Sequence, residues 1–376
     1  MGTNPLSRSR AGSFQPSRML AARLRRGFTV NALAEAMGSH RSTNFRHDAG
    51  LFTPNEEHLR AAARALRFPE RFFLGDDIGE LAPEKASFRS SSKLVARQRD
   101  MALGTAGVAI AFNGEIERLY ALPEPDFPDL AHRCDPEQAA EFVRRKWDLD
   151  ERPIENIMQL LESRGVRVFS LPVDAADADS FSIWHRDRPF VFLNTAKRAD
   201  ERHLDLAHEL GHLLLHRYGA RDTPKTQQAA SAFASALLIP AAAICADAPS
   251  TPGIAQLLPL AQKWGVPLTA TARRLHRLAL VSDWQYRRLR MEIAEQPSLS
   301  AEEGFDARER PLLLQRVFAS LRARGVTKHK IASTVGIYPK DLDELTFGLA
   351  LISFNGEASA TIDRLPPRLT VVTTNA

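Results

Sequence analysis

The run DLAHELGHLLLH at residues 205–216 constrains this chain more than any other feature of its sequence. His208 and His212 lie four residues apart, so a helix places both imidazoles on one face, where they can share one metal ion. Glu209 lies beside them, in the place of the general base of a hydrolytic site. Gly211 costs about 1 kcal/mol relative to alanine within a helix, but the surrounding leucines give the run an apolar flank. The run therefore predicts a zinc-binding helix with Glu209 as its base.

Two more histidines lie near this motif. His216 follows His208 by eight residues, which is about 12 Å along a helix axis and too far for both to share one ion easily with His212. We interpret His216 as a helix-end residue or as a partner of a metal ligand. His203 is expected at the surface.

A short apolar strand at residues 166–172 and two strands at 181–185 and 189–194, joined by Arg-Asp, precede the motif. A hairpin in this place can offer a sheet edge to an extended substrate, although an ordinary structural hairpin is the alternative. Helical patterns fill most of the remaining chain. The predicted fold is therefore α+β and predominantly α, with helical N- and C-terminal regions around a domain that has a small antiparallel sheet.

The composition excludes several classes of protein. With 376 residues, 44% of them hydrophobic and 25% charged, the chain is typical of a globular protein with two or three domains. Cys134 and Cys245 match no metal or redox spacing, which favours a reduced, cytoplasmic location. The longest apolar run, residues 229–246, is interrupted by Pro240, so no membrane span is expected. The N-terminus lacks the apolar core of a signal peptide.

Breaks in these patterns divide the chain into predicted segments. The clearest break is at residues 76–92, where a polar stretch contains a proline and a serine triplet. The segments are a flexible arm at 1–16, a helical domain at 17–75, a linker at 76–92, a central domain at 93–250, a helical extension at 251–296, a C-terminal helical domain at 297–354 and a tail at 355–376.

The N-terminal segment is basic. Residues 1–75 contain twelve arginines, no lysine and five acidic residues, whereas the whole chain has a net charge of only +5. This excess favours a polyanion partner for this segment alone. Two short helices meet at Gly38 and the second is polar and basic, which fits a helix-turn-helix on double-stranded DNA. A small helical bundle with a solvated polar face is the alternative. The candidate DNA contacts are Arg41, Ser42, Thr43, Asn44 and Arg46.

The order and spacing of these helices, including the ending RFPERFF, resemble an XRE/Cro-type helix-turn-helix domain. Such domains usually carry Trp-Glu at the end of the recognition helix, where this chain has His47-Asp48. The resemblance supports binding to double-stranded DNA, with altered packing at that point.

Farther along, RPFVFLN, LAHELGHLLLH and FASALLIP resemble the ImmA/IrrE family of metallopeptidases, in its longer members with a fused N-terminal helix-turn-helix. The resemblance covers most of residues 17–290. It implies a zincin-like (gluzincin) fold, one Zn²⁺ cofactor held by His208 and His212, and cleavage of a repressor-like regulatory protein in stress responses or mobile-element control. Homodimerisation is left open.

The third metal ligand departs from the family pattern. In the family it is a glutamate six residues before the phenylalanine of F-A-x-x-L-L-x-P, and Phe233 places Gln227 there. Between His212 and Phe233 the only acid is Asp222. Because an amide oxygen is a neutral and weaker zinc ligand, three alternatives stay open: Gln227 binds zinc weakly, Asp222 replaces it, or the site is impaired. The rival hypothesis is a non-catalytic transcriptional regulator whose degenerate peptidase domain senses a signal or binds a protein.

Overall fold

The computed structural model describes residues 12–79, 81, 83, 86–89, 95–131, 135–172, 179–217, 223–249, 252–296, 311–355 and 370–371. Within these ranges the chain is mostly helical and has one four-stranded mixed sheet and one two-stranded pair. The predicted α+β, predominantly α class is therefore confirmed. In the part of the chain described, no single helix is long and apolar enough to cross a membrane.

Four short helices form the N-terminal part: α1 Pro16–Arg25, α2 Val30–Met37, α3 Arg41–Asp48 and α4 Glu56–Leu66, followed by a 3-10 helix at Glu70–Leu74. Local sequence fixes the ends of α2. The Thr29 hydroxyl accepts a hydrogen bond from the Ala32 amide at 3.1 Å, and Gly38 ends the helix in the left-handed conformation with φ of 64°. This turn brings α3 back against α2.

The four strands are β1 Ala86–Arg89, β3 Arg167–Leu171, β4 Ser180–His185 and β5 Arg188–Asn194, in the sheet order β1-β4-β5-β3. The predicted hairpin is β4 and β5, and its turn residues Arg186 and Asp187 have positive φ of 46° and 61°, as in a type I′ turn. The sheet is small, as predicted, but it is mixed and not antiparallel throughout, because β3 pairs in parallel with β5. The chain runs from β3 to β4 and returns along β5, which inserts between them.

Two elements lie where the sequence suggested none. β1 lies inside the stretch interpreted as the linker 76–92 and pairs antiparallel with β4. Within the predicted tail, β6 Thr370–Val371 pairs antiparallel with β2 Tyr120–Ala121. Both strands are too short to carry a recognisable pattern of their own, and each is fixed by its partner strand.

Helices cover both faces of the sheet. On one face are α6 Pro136–Lys146, α7 Ile157–Ser163, α8 Ala199–Leu215, α9 Pro224–Leu238, α10 Ala241–Asp247, α11 Ile254–Trp264, α12 Leu268–Arg277 and α13 Asp283–Glu295. On the other are the N-terminal helices, the long α5 Ala96–Glu117, and α14 Leu312–Ala323, α15 Lys328–Val335, α16 Pro339–Leu345 and α17 Leu349–Asn355. Alternate residues of β5 enter the two cores: Phe190 and Phe192 face the second group, and Val191 and Leu193 the first.

The N-terminal helices pack closely on the rest of the protein. α1 crosses α5 at Gly104, where an added Cβ would lie 2.1 Å from the backbone nitrogen of Arg25. Only glycine permits this approach. Arg25 also pairs with Glu344 at 2.7 Å, and Arg26, just after α1, pairs with Asp341 at 2.8 Å. Carboxylates of α16 therefore neutralise both arginines.

Candidate metal centre

Helices α8 and α9 lie side by side and carry the residues of the motif. Gly211 on α8 faces α9, and a Cβ there would lie 3.1 Å from both the Cα and the carbonyl oxygen of Ala230. The glycine that weakens the helix on its own therefore lets the two backbones approach closely. This approach brings the side chains of α9 to the histidines of α8.

His208 and His212 converge as predicted. Their Nε2 atoms lie 3.1 Å apart, and the two residues are only 2% and 3% exposed. Two nitrogen ligands of one tetrahedral zinc ion, each about 2.05 Å from the metal, are about 3.3 Å apart. The spacing of the two imidazoles therefore fits one zinc ion without rearrangement.

Gln227 on α9 places a side-chain oxygen beside the two imidazoles. Its Oε1 lies 3.0 Å from His208 Nε2, while its Nε2 donates a hydrogen bond to the Phe88 carbonyl at 3.0 Å. Among the residues described, no three His, Cys, Asp or Glu side chains form a group that could hold a metal. The alternative ligand Asp222 lies outside the described residues. A metal held by the described residues would thus have two imidazoles and one amide oxygen.

The outer nitrogens of both imidazoles also have partners. His208 Nδ1 lies 3.2 Å from the Ser231 hydroxyl, and His212 Nδ1 lies 3.0 Å from Nδ1 of His216. Such contacts fix the ring orientation and leave Nε2 for the metal. His216, at the C-terminal end of α8, contacts the candidate ligand His212, in keeping with its interpretation from the sequence.

Both imidazoles are suited to bind a cation. Burial lowers the pKa of His208 well below its ordinary value of 6.5, with a further lowering from Arg89. Burial also lowers the pKa of His212 to about 3, and the nearby His216 adds to the effect. Metal ligation requires neutral imidazole. Neither ring has to lose a proton before it binds a metal at pH 7.

Glu209 is held against the sheet. Its two oxygens accept hydrogen bonds from the Ser180 and Ser182 hydroxyls of β4, each at 2.6 Å, and the side chain is fully buried. Burial raises the pKa of Glu209 to about 8, although the two hydrogen bonds act in the opposite direction. A cation held by the adjacent histidines would lower this pKa again. Neither serine was predicted from the sequence; their signal is the Ser-Phe-Ser alternation, which places the two hydroxyls on the α8 side of β4.

The part of the chain that contains α8 and α9 was compared with known protein families. Residues 161–276 match the Peptidase_M78 family. The family model is described as the IrrE N-terminal-like domain, and the match runs from α7 to α12, including both histidines, Glu209 and Gln227. The match spans less than a third of the chain, and the matched residues are called the Peptidase_M78 segment. No curated protein matches the chain. The match supports the predicted ImmA/IrrE peptidase domain, and the N-terminal helices lie outside it.

One histidine of the Peptidase_M78 segment is placed differently from the prediction. His203, expected at the surface, is fully buried on α8. The helix is covered on several sides by the sheet and by α7 and α9, so a polar residue near its start does not reach solvent.

Outside the Peptidase_M78 segment, α3 presents most of the predicted DNA contacts. Arg41, Ser42 and Arg46 are exposed and Thr43 is half-buried. Asn44 is corrected: it is 3% exposed, and its amide donates a hydrogen bond to the Met37 sulfur at 3.7 Å. Asn44 therefore holds α3 onto α2 and does not face a ligand.

The unusual pair at the end of α3 is used in packing. The His47 Nδ1 atom lies 2.9 Å from the Phe52 carbonyl, and Asp48 pairs with Arg23 of α1 at 2.6 Å. His47 and Asp48 therefore make packing contacts at the position where XRE/Cro-type domains usually carry Trp-Glu. Between the two exposed arginines of α3, Phe45 is 59% exposed, a feature that the sequence analysis did not single out.

Proposed function

We propose that the Peptidase_M78 segment is a zinc-dependent endopeptidase domain fused to a DNA-binding domain, in a regulator that cleaves a repressor-like protein. The observation that carries this proposal is the convergence at His208 Nε2, which lies 3.1 Å from His212 Nε2 and 3.0 Å from Gln227 Oε1. Three such ligand atoms on two packed helices support a catalytic zinc site, in which the protein supplies three ligands and one position stays open.

The residues of the chain have separate roles in this proposal. His208, His212 and Gln227 would hold the zinc, which would supply Lewis-acid polarisation of a peptide carbonyl. Glu209 takes up the proton that hydrolysis releases from water, and Ser180 and Ser182 orient its carboxylate. Buried surroundings strengthen these electrostatic interactions because little water screens them.

The non-catalytic alternative also has an observation in its favour. The third donor is neutral, and both oxygens of Glu209 are engaged by serine hydroxyls. A domain of this kind that did not retain zinc would act through binding alone. Metal content therefore separates the two functions.

Purified wild-type protein should retain about one zinc ion per chain after dialysis against metal-free buffer, because two preorganised imidazoles and an amide oxygen face one point. Elemental analysis measures this ratio. His208→Ala should lose the zinc, whereas His329→Ala, on the exposed surface of α15, should retain it. Wild-type protein that is folded but free of zinc would favour the non-catalytic function.

The proposal for the N-terminal helices depends on α3. Its exposed Arg41, Ser42 and Arg46 follow the tight turn at Gly38 that sets α3 against α2, as in a recognition helix. The excess positive charge of the N-terminal segment supports DNA binding less than the sequence implied, because Arg18, Arg23 and Arg25 are buried in the protein. The polar, exposed face of α3 is the main support for DNA binding.

Arg41→Ala should weaken binding to a 20-base-pair duplex and should reduce the slope of log K against log salt by about one, because one phosphate contact is lost. Fluorescence anisotropy between 50 and 200 mM salt measures both quantities. Arg324→Ala, an exposed arginine after α14, should leave affinity and slope unchanged. Equal salt dependence of wild type and Arg41→Ala would contradict a phosphate contact by Arg41.

A further inference from the structure

The edge of the sheet beside the metal centre is covered by the chain itself. β1 lies antiparallel on β4, with Ser87 paired to Ser182 and Arg89 to Ser180. These two serines of β4 are the ones that hold Glu209. An extended peptide that added to this edge in the antiparallel orientation would take the position of β1. β1 thus occupies the strand position next to the site residues.

Gln227 connects β1 to the metal centre. Its Oε1 faces His208 Nε2 at 3.0 Å and its Nε2 donates to the Phe88 carbonyl at 3.0 Å, so one amide lies between the imidazole and a peptide carbonyl of β1. In a strand, carbonyls alternate between the two edges. The Phe88 carbonyl is one that points away from β4 and toward the helices. An amide can bridge in this way, whereas a carboxylate at position 227 has no donor for the carbonyl.

Two side chains of β1 make specific contacts, one on each face of the sheet. The Phe88 ring stacks on Phe181 with 4.9 Å between ring centroids, on the face of the sheet opposite α8. On the α8 side, the Arg89 guanidinium pairs with Asp205 at 2.8 Å. Asp205 is 2% exposed and also binds Lys197 at 2.8 Å. Removal of a cation from such a buried carboxylate is costly, so the place of Arg89 demands a positive charge.

A cavity adjoins the side chain of Arg89. Its side chain forms one wall of a cavity of about 320 Å³, whose other walls include Asp205, Leu204, Leu268 and Arg273. The cavity lies between α8, α12 and α13. A ligand side chain at the position of Arg89 would therefore border this cavity.

We propose that the groove bordered by β4, α8 and α9 is a binding site for an extended polypeptide, and that β1 is its internal occupant, fastened by the amide of Gln227. The peptide class is set by what β1 presents: an apolar residue on Phe181, followed by an arginine or lysine for Asp205. This inference rests on the proposed function, because such a peptide would reach the metal-binding residues through the carbonyl that Gln227 now holds. Binding at this site therefore requires β1 to leave.

A tethered strand competes strongly with a free peptide. A segment joined to its site by a short chain has an effective concentration of about 1 mM. Free peptide at micromolar concentration therefore does not displace β1 from the wild-type protein. Weakening of β1 alone should open the groove.

The test uses the full chain and a fluorescein-labelled peptide with the sequence EKASFRSS of residues 84–91. Arg89→Glu places a like charge beside Asp205 and should raise the affinity for this peptide at least tenfold over wild type in fluorescence anisotropy. The same peptide with glutamate in place of its arginine should not bind. Arg324→Glu is the matched control and should behave as wild type.

A second variant guards against loss of folding in Arg89→Glu. Gln227→Ala keeps the Arg89–Asp205 pair and removes only the amide, and it should also raise peptide affinity over wild type. If both variants keep the wild-type circular dichroism and neither binds the peptide more tightly, β1 is a permanent strand and the inference is overturned. Failure of the Gln227→Ala variant alone to gain affinity, with Arg89→Glu unfolded, also overturns it.

Zinc analysis of the wild-type sample separates this inference from the proposed function. Gain of peptide binding in the variants, together with wild-type protein free of zinc, would leave the groove in place and remove the peptidase function. Zinc in the wild type without any gain of peptide binding would do the reverse. The two results are independent because the peptide readout requires no cleavage.

Discussion

Exchange of Gln227 for glutamate should raise the affinity of the protein for zinc by roughly ten- to a hundredfold, the range by which a well-placed group near a metal changes affinity. The oxygen at this position already lies 3.0 Å from His208 Nε2, so the change places a negative charge beside the imidazoles, although it removes the hydrogen bond to the Phe88 carbonyl. A carboxylate neutralises part of the charge of Zn²⁺, whereas an amide does not. Competition with a chelator of known affinity measures the difference.

Gln228→Glu provides the matched control for this change. Gln228 is the next residue of α9 and is exposed, so a carboxylate there adds the same charge on the same helix without facing the histidines. We expect it to bind zinc as wild type does. Equal zinc affinities of the Gln227→Glu and Gln228→Glu proteins would show that residue 227 is not a ligand.

Features set by near neighbours in the chain could be predicted from the sequence. The cap of α2 by Thr29, its end at Gly38 and the turn of the β4–β5 hairpin at Arg186 and Asp187 each depend on two to four residues. The His208–His212 pair likewise follows from helix periodicity alone. Such features are decided by local geometry before the chain packs.

Features set by distant parts of the chain could not be predicted. β1 is a strand only because β4 offers it an edge, and Glu209 is buried because Ser180 and Ser182 arrive from another strand. The burial of Arg25 could not be predicted for the same reason, since its partner Glu344 is more than three hundred residues away. A charge is counted from the sequence, but its exposure depends on the tertiary fold.

Burial of a carboxyl group outside the metal centre predicts a pH-dependent stability. Glu162 of α7 is 4% exposed and accepts hydrogen bonds from the Leu312 and Leu313 amides, at 2.9 and 3.0 Å, where α14 begins. Burial raises the pKa of Glu162 from its ordinary value of 4.5 to about 7, although both amides act in the opposite direction. Protonation of this group therefore stabilises the folded protein.

The stabilisation is complete below pH 4.5, is lost as the pH rises toward 7 and is absent above it, because the unfolded chain releases this proton first. The loss amounts to about 3 kcal/mol in the free energy of unfolding, at about 1.4 kcal/mol per pKa unit. Glu162→Gln keeps an oxygen for the two amides and cannot titrate. Urea unfolding from pH 4 to 8 should therefore show wild type losing about 3 kcal/mol relative to this variant.

The exposed Glu155, just before α7, gives the control. Glu155→Gln should unfold with the same pH dependence as wild type, whereas parallel curves for wild type and Glu162→Gln would show that Glu162 titrates normally. Because Glu162 joins α7 of the Peptidase_M78 segment to α14, the loss at higher pH should begin at this contact. Hydrogen exchange of the first amides of α14 should then accelerate between pH 5 and 8 by more than the intrinsic chemical rate in wild type, and only by that rate in Glu162→Gln.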